Sequence, residues 1–177
     1  QKRKIIIIGA GPAGLEAARV TAARGHIVTL VEAHDYLGGQ FKLAGMQPQR
    51  KQIIDLLDWY LNQLLKLKVE IKLNTLIDSN FIKKFSADVT IIATGSYPNN
   101  SLFQKAIPHV DKLPGIDLGN IFSAEDVMSS STNLGKKILI LDEGGNWKGC
   151  GTAWKLAEEG YDVTLITPDP FVGKELQ

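Results

Sequence analysis

A chain of 177 residues holds one good-sized domain, or one domain and part of another. Its 44% hydrophobic and 22% charged content is ordinary for a globular protein, and a net charge of +1 gives no electrostatic case for nucleic acid or an anionic membrane. The single cysteine, Cys150, excludes an internal disulfide and argues against a cysteine-ligated cluster or zinc site, so a cytoplasmic location is expected.

The N-terminal Lys2-Arg3-Lys4 followed by Ile5 to Ile8 mimics the head of a secretory signal. The apolar run is too short for one, and no run approaches the ~20 residues of a membrane span. It reads instead as a buried strand entering Gly9-Ala10-Gly11-Pro12-Ala13-Gly14. A small-residue helix follows from Gly14 to Arg24, then a second strand, Ile27 to Val31, ending in Glu32. Gly9 permits the tight turn, Gly11 lets the backbone approach a pyrophosphate, and Gly14 lets the helix lie close to the sheet. The helix N-terminus offers unpaired N–H groups to phosphate, and Glu32 stands where a carboxylate accepts from ribose hydroxyls. A lone GxGxxG is a weak signal; strand, helix and acid in their places make it a strong one.

Leu37-Gly38-Gly39-Gln40-Phe41 reads as a turn whose glycines permit close backbone approach, and residues 42 to 47 read as loop. From Pro48 to Leu67 the apolar positions Ile53, Leu56, Leu57, Tyr60 and Leu64 recur at helical spacing. Trp59 and Tyr60 within it read as helix packing rather than as a flavin-stacking pair. Val69 to Leu73 alternates as a half-exposed strand, and Asp88 to Gly95 reads as a buried parallel strand ending in small residues. Ser96 to Gly119 is irregular, with Pro98, Pro108 and Pro114. Ser123 and Asp126 have capping-box spacing for a short helix to Met128, and Ser129 to Leu134 reads as a linker.

A second copy of the first unit begins at Lys136 to Leu141 and ends at Tyr161 to Thr167. Gly25 to Leu30 lies over Gly160 to Leu165, so Gly9, Gly11 and Gly14 fall on Gly144, Asn146 and Gly149. The middle glycine has become Asn146 beside Trp147, the turn is longer by two residues and carries Asp142 and Glu143, and Thr167 replaces the ribose acid. Carboxylates at the mouth of a phosphate site oppose the helix dipole that attracts the anion. A retained fold with a lost nicotinamide ligand is the expectation. The expected domains are 1–134 and 135–177, the second an incomplete unit, as in a fragment of a longer enzyme.

The run from Gly9 through Glu32, the Gly38-Gly39-Gln40-Phe41 turn, the strand ending Thr90-Ile91-Ile92-Ala93-Thr94-Gly95 and the second βαβ unit resemble the FAD/NAD(P)-linked, disulfide-reductase-like fold. That is an α/β, Rossmann-like, doubly wound parallel sheet. More narrowly, the turn at Gly38, the strand Val69 to Leu73 with Asn74, and Leu113 to Asp117 resemble the C-terminal part of the NADH:flavin oxidoreductase family. Its members include the 2,4-dienoyl-CoA reductase, trimethylamine dehydrogenase and histamine dehydrogenase types.

The resemblance implies an adenine nucleotide, FAD or ADP, on the first unit. FMN and an iron–sulfur cluster would belong to an N-terminal flavin-barrel domain outside this segment. In the reductase type the second unit takes NADPH; in the trimethylamine dehydrogenase type that role is lost, and electrons leave to an electron-transfer flavoprotein. The loop from Asp142 to Trp147 favours the dehydrogenase type, whereas Gln40-Phe41 favours the reductase.

Carried over by position, Gly9, Gly11, Pro12, Ala13 and Gly14 line the pyrophosphate site, and Glu32 with Ala33 holds the adenosine ribose. Gly39 and Gln40 lie along the nucleotide, Thr75 or Leu76 offers backbone contacts to adenine, and Ala93, Thr94 and Gly95 close over the adenosine end. No catalytic residue and no metal ligand emerge. His26, His34 and His109 lack metal spacing, His26 and His34 reading as surface turn residues. Cys150, near the start of the second helix, stands where a helix dipole lowers a thiol pKa. The competing readings are a stand-alone nucleotide-binding module and a structural domain that docks another subunit.

Overall fold

The computed structural model describes residues 1–97, 104–129 and 132–176. In chain order, β1 (Lys4–Ile8), α1 (Pro12–Ala23), β2 (Ile27–Val31), α2 (Gln40–Gly45), α3 (Lys51–Lys66), β3 (Glu70–Lys72), α4 (Ser79–Phe85) and β4 (Val89–Ile92) form the first half. A 3-10 turn at Ile116–Leu118 precedes α5 (Ala124–Met128), β5 (Lys137–Leu141), α6 (Trp147–Glu158) and β6 (Asp162–Ile166). Pro98 and parts of the expected irregular stretch and of the Ser129 linker lie outside the described residues.

The chain divides into two compact units, Gln1–Gly45 with Arg50–Ser96, and Met46–Gln49 with Tyr97–Gln177. The expected boundary at 134 follows the start of the repeated strand. The compact units instead divide at Ser96/Tyr97, and the four residues ahead of α3 group with the second unit.

The first unit is a four-stranded parallel sheet in the order β3-β2-β1-β4. Ile5 pairs with Val28 on one side and Val89 on the other, so β1 is central. That position explains its unbroken run of isoleucine: Ile5, Ile6 and Ile7 are all buried, as a parallel strand covered on both faces requires. Ala10, Leu15, Ala18, Val28, Leu30, Leu64 and Val69 complete this core. The helix α1 lies on the sheet through Gly14, Leu15 and Ala18, and α3 brings Leu64, Leu57 and Tyr60. Trp59 and Tyr60 meet edge to face with their rings 5.0 Å apart, and the Tyr60 hydroxyl donates to Glu16 on α1 at 3.2 Å. Tyr60 packs against the core as expected, whereas Trp59 is exposed, its ring 5.7 Å from the Arg19 guanidinium.

The loop expected over residues 42–47 is instead largely helix. Gly38 and Gly39 both take positive φ, turn the chain, and launch α2, which packs on α3 with Gly45 against Ile54. A second helix without a clear sequence signal, α4, buries none of its residues; Asp78 caps it by accepting from the Phe81 N–H at 2.7 Å.

In the second unit β5 and β6 pair in parallel, Lys137 opposite Asp162 and Leu141 opposite Ile166, with α6 against them. The capping box read at Ser123 is formed: Ser123 Oγ accepts from the Asp126 N–H, and the Asp126 carboxylate accepts from the Ser123 N–H. Among the described residues no helix is long and apolar enough to cross a membrane.

Candidate functional site

The glycine turn of the first unit closes on itself and leaves one open face. Gly9 has φ of +101°, donates its N–H to the Val31 carbonyl, and lies so near Ala93 that a Cβ there would collide with the Ala93 carbonyl oxygen. A Cβ on Gly14 would collide in turn with the Gly9 carbonyl oxygen, so α1 sits directly on the turn. Gly11 differs: a Cβ there would meet nothing within 4 Å. The backbone is thus crowded from behind at Gly9 and Gly14, while the half-buried Gly11 has open space in front of it.

The N-terminus of α1 carries no side-chain cap and no negative charge. Gly11 is its N-cap, Pro12 opens its first turn, and no acidic residue lies in that turn. The dipole end of a 12-residue helix is therefore left for whatever binds in front of it. Ala13 is exposed at this end, and Gly14 is buried beneath it.

The paired glycines after β2 are drawn onto the same turn. The Gly38 N–H donates to the Ala10 carbonyl at 2.8 Å, and a Cβ on Gly39 would stand 3.3 Å from Gly11 Cα. Gln40, at the start of α2, donates from Nε2 to the Ser96 carbonyl at 2.9 Å, tying α2 to the segment that follows β4. Ala93 donates to the Ile8 carbonyl, and Thr94 and Gly95 follow, exposed, with Gly95 at φ +74°.

Glu32 is only 8% exposed yet ionised. Oε2 accepts from the Ala10 N–H at 2.7 Å; Oε1 accepts from the His34 N–H at 2.9 Å and from the His34 ring at 2.8 Å. Burial alone pushes the carboxyl pKa up, but the His34 and Ala10 backbone N–H groups and the His34 ring together hold it below the usual carboxylate value. Ala33 is exposed beside it. Thr75 lies on the other side, its N–H donating to the Glu32 carbonyl at 2.9 Å, and Leu76 beyond it is 85% exposed. The Thr75 N–H is thereby committed to the protein.

The thirteen positions read from sequence therefore gather around one turn of one unit. Two contributors were not among them. Gly38 is buried and holds Ala10. His34, read as a surface turn residue, is exposed and in the turn, yet its ring engages the Glu32 carboxylate. Its place two residues after Glu32 was the available signal.

The second glycine loop has a different interior. Asp142, expected at the mouth, is turned inward and is 4% exposed. Its Oδ1 accepts from the Gly144 and Gly145 N–H groups at 3.1 and 3.0 Å. Asn146 caps α6, its Oδ1 accepting from the Lys148 N–H at 2.9 Å. The residues after β6 fold over this loop: the Glu175 N–H donates to the Gly145 carbonyl at 2.8 Å, and Asp169 pairs with Lys105 and Lys174. Gln47, also in this unit, donates to the Trp147 carbonyl at 3.0 Å. The thiol of Cys150 is pushed up by burial and by the Asp142 carboxylate, opposite to the lowering expected from the helix dipole. Among the described residues no group of His, Cys, Asp and Glu could hold a metal ion.

Residues 3–176 match the family model described as pyridine nucleotide-disulphide oxidoreductase. The chain is 39% identical over 168 residues to an N,N-dimethylglycine/sarcosine dehydrogenase of Chromohalobacter salexigens, covering 95% of this chain and 24% of that protein. It is 41% identical over 166 residues to a cinnamate reductase of Clostridium sporogenes, covering 94% and 23%. A solved 2-naphthoyl-CoA reductase superposes with a TM-score of 0.88 at 32% identity, covering all of this chain and 25% of that one. The chain thus spans about a quarter of the length of these relatives.

Proposed function

The chain belongs to the pyridine nucleotide-disulphide oxidoreductase family, and on that premise we propose that its first unit binds the adenosine diphosphate moiety of FAD or ADP within a flavin-dependent oxidoreductase. The observation that carries this reading is the turn at Gly11, open in front, at an uncapped helix N-terminus, with the ionised Glu32 carboxylate beside it. The residues present fit the group. Gly9, Gly11, Pro12, Ala13 and Gly14 hold the pyrophosphate, Glu32 and Ala33 the ribose, Gly39 and Gln40 the flank, and Thr75, Ala93, Thr94 and Gly95 the adenosine end. FAD, when bound, supplies hydride and electron transfer. This chain contributes binding, orientation and a fixed negative charge at the ribose, with the substrate chemistry elsewhere in the parent protein.

The second unit carries no working NAD(P)H site in this reading. Asp142 supports it, because its carboxylate already takes the loop N–H groups that a pyrophosphate needs and adds a buried negative charge there. The parent enzyme is then of the trimethylamine dehydrogenase type. It has a preceding flavin-barrel domain bearing FMN and an iron–sulfur cluster, and it delivers electrons to an electron-transfer flavoprotein. The likeness to the dimethylglycine/sarcosine dehydrogenase fits this. A reductase fed by NAD(P)H is the second reading, favoured by the likeness to cinnamate reductase.

Titrating the chain with NADPH, followed by nicotinamide fluorescence, separates the two. The first reading expects no low-micromolar binding at the second unit. Low-micromolar binding that survives Glu32→Ala overturns it.

A further inference from the structure

His34 sits where it changes what Glu32 is able to hold. A carboxylate offers about four lone-pair positions, two on each oxygen. In this chain three are taken: Oε2 by the Ala10 N–H, and Oε1 by both the His34 N–H and the His34 ring. A ribose presenting both its 2′ and 3′ hydroxyls needs two acceptor positions, and one remains, on Oε2. The backbone donors cannot leave without unwinding the turn. The imidazole can, because its side chain is 51% exposed, against 10% for Glu32.

The docked ring is also braced. It stacks on Tyr36 with centroids 5.2 Å apart and planes at 29°, and Lys42 of α2 places its ammonium 3.8 Å from the centre of the Tyr36 ring. Because the ionised Glu32 carboxylate only accepts, Nδ1 is the donor, and this selects the ring form that carries its proton on Nδ1. The contact is thus specific in geometry, tautomer and support.

We infer that the His34 imidazole is a built-in competitor for the ribose site: it occupies the second acceptor position of Glu32 in the free protein and must swing away before both ribose hydroxyls are held. His34 is therefore a positioning residue that sets nucleotide affinity through Glu32. The inference rests on the reading of the first unit as an adenosine site. It goes further by assigning part of the affinity to a side chain that opposes binding.

The test is calorimetric titration of the chain with ADP in three forms: wild type, His34→Ala and His34→Asn. Removing the ring is expected to tighten ADP by about fivefold, the net worth of one hydrogen bond. Asparagine, whose amide nitrogen lies where Nδ1 lay, is expected to keep the wild-type affinity. A merely structural histidine gives the opposite order, with alanine weaker. Equal or weaker binding by His34→Ala, with ADP still bound, overturns the competitor and leaves the nucleotide reading standing. No binding by any folded form overturns both. Nitrogen-15 resonances of the His34 ring in the free chain read the pair without any nucleotide. The Nδ1–H form, lost in Glu32→Ala, which removes the acceptor, is expected, and an Nε2–H ring insensitive to that change overturns the contact itself.

Discussion

Gly149 is under the Asp142 carboxylate: a Cβ on Gly149 would fall 2.7 Å from either Asp142 oxygen and closer still to the carbon between them. In the first unit the matching residue, Gly14, is instead under the Gly9 carbonyl. The two repeats thus keep the same glycine for different reasons. In one it lets a helix approach the backbone of the glycine turn. In the other it makes room for a carboxylate that accepts from the N–H groups of its own loop.

Asp142→Ala is expected to destabilise the second unit. It leaves the Gly144 and Gly145 N–H groups without their acceptor; water replaces it at the exposed Gly144, whereas the buried Gly145 N–H left unpaired costs about 1–3 kcal/mol. Urea melts of the variant and wild type measure it. A midpoint unchanged within error contradicts the role assigned to this carboxylate.

The thiol of Cys150 is held in its protonated form by burial and by Asp142. It is expected to react with a thiol-directed reagent at pH 7 more slowly than free cysteine, and Asp142→Asn is expected to speed that reaction. The rate of absorbance change with an aromatic disulfide reads both. Reaction as fast as a free thiol in the folded chain contradicts the raised pKa.

Gly11→Val and Gly14→Ala are expected to fail differently. Nothing lies within 4 Å of a Cβ at Gly11, so valine there is expected to cost only the modest N-cap preference for glycine, about 1 kcal/mol or less, and to block ADP sterically. A methyl on Gly14 strikes backbone and is expected to cost about 1–3 kcal/mol of stability, as overpacking does. Thermal melts with and without ADP separate the two. Equal destabilisation by both contradicts the open face assigned to Gly11.

The Glu32 carboxyl titrates below an ordinary glutamate in the folded chain. Its ionised form therefore contributes stability that is fully present above the unfolded value, about 4.3, and lost as pH falls through the lower folded value. Glu16 and Glu70 are also lowered, so the measurement is a difference. Between pH 6 and 3 the wild type is expected to lose more melting temperature than Glu32→Gln. Parallel curves contradict the three hydrogen bonds that hold the carboxylate charged.

Some of this was legible in the sequence because single residues decide it. Four consecutive isoleucines read as a central parallel strand, Gly9, Gly11 and Gly14 as the turn, and Glu32 falls at the end of β2 by spacing alone. The repeat from Gly160 to Leu165 placed β6 and α6 with it. What was not legible depends on contacts. Of the six residues of α2, Gln40 and Phe41 read as turn and residues 42 to 45 as loop; in the fold they are a helix packed on α3, with Gly45 against Ile54. The helix α4 is seven residues long and only half-buries Phe81, Ile82 and Phe85, too short a stretch to print a clear period on the sequence. Whether Asp142 faces the mouth or the interior depends on the positive φ of Gly145 and the N–H groups it turns inward, and neither is written in composition. His34 looks like any surface histidine until the fold brings its ring to Glu32.

Whether the first unit is an adenosine site is read by calorimetric titration of the folded wild-type chain with ADP, repeated on Glu32→Ala. A single site of micromolar affinity is expected, weakened in the variant by about tenfold or more for loss of a charged acceptor. A folded chain that gives no heat, or one whose affinity is indifferent to Glu32, would contradict the adenosine reading.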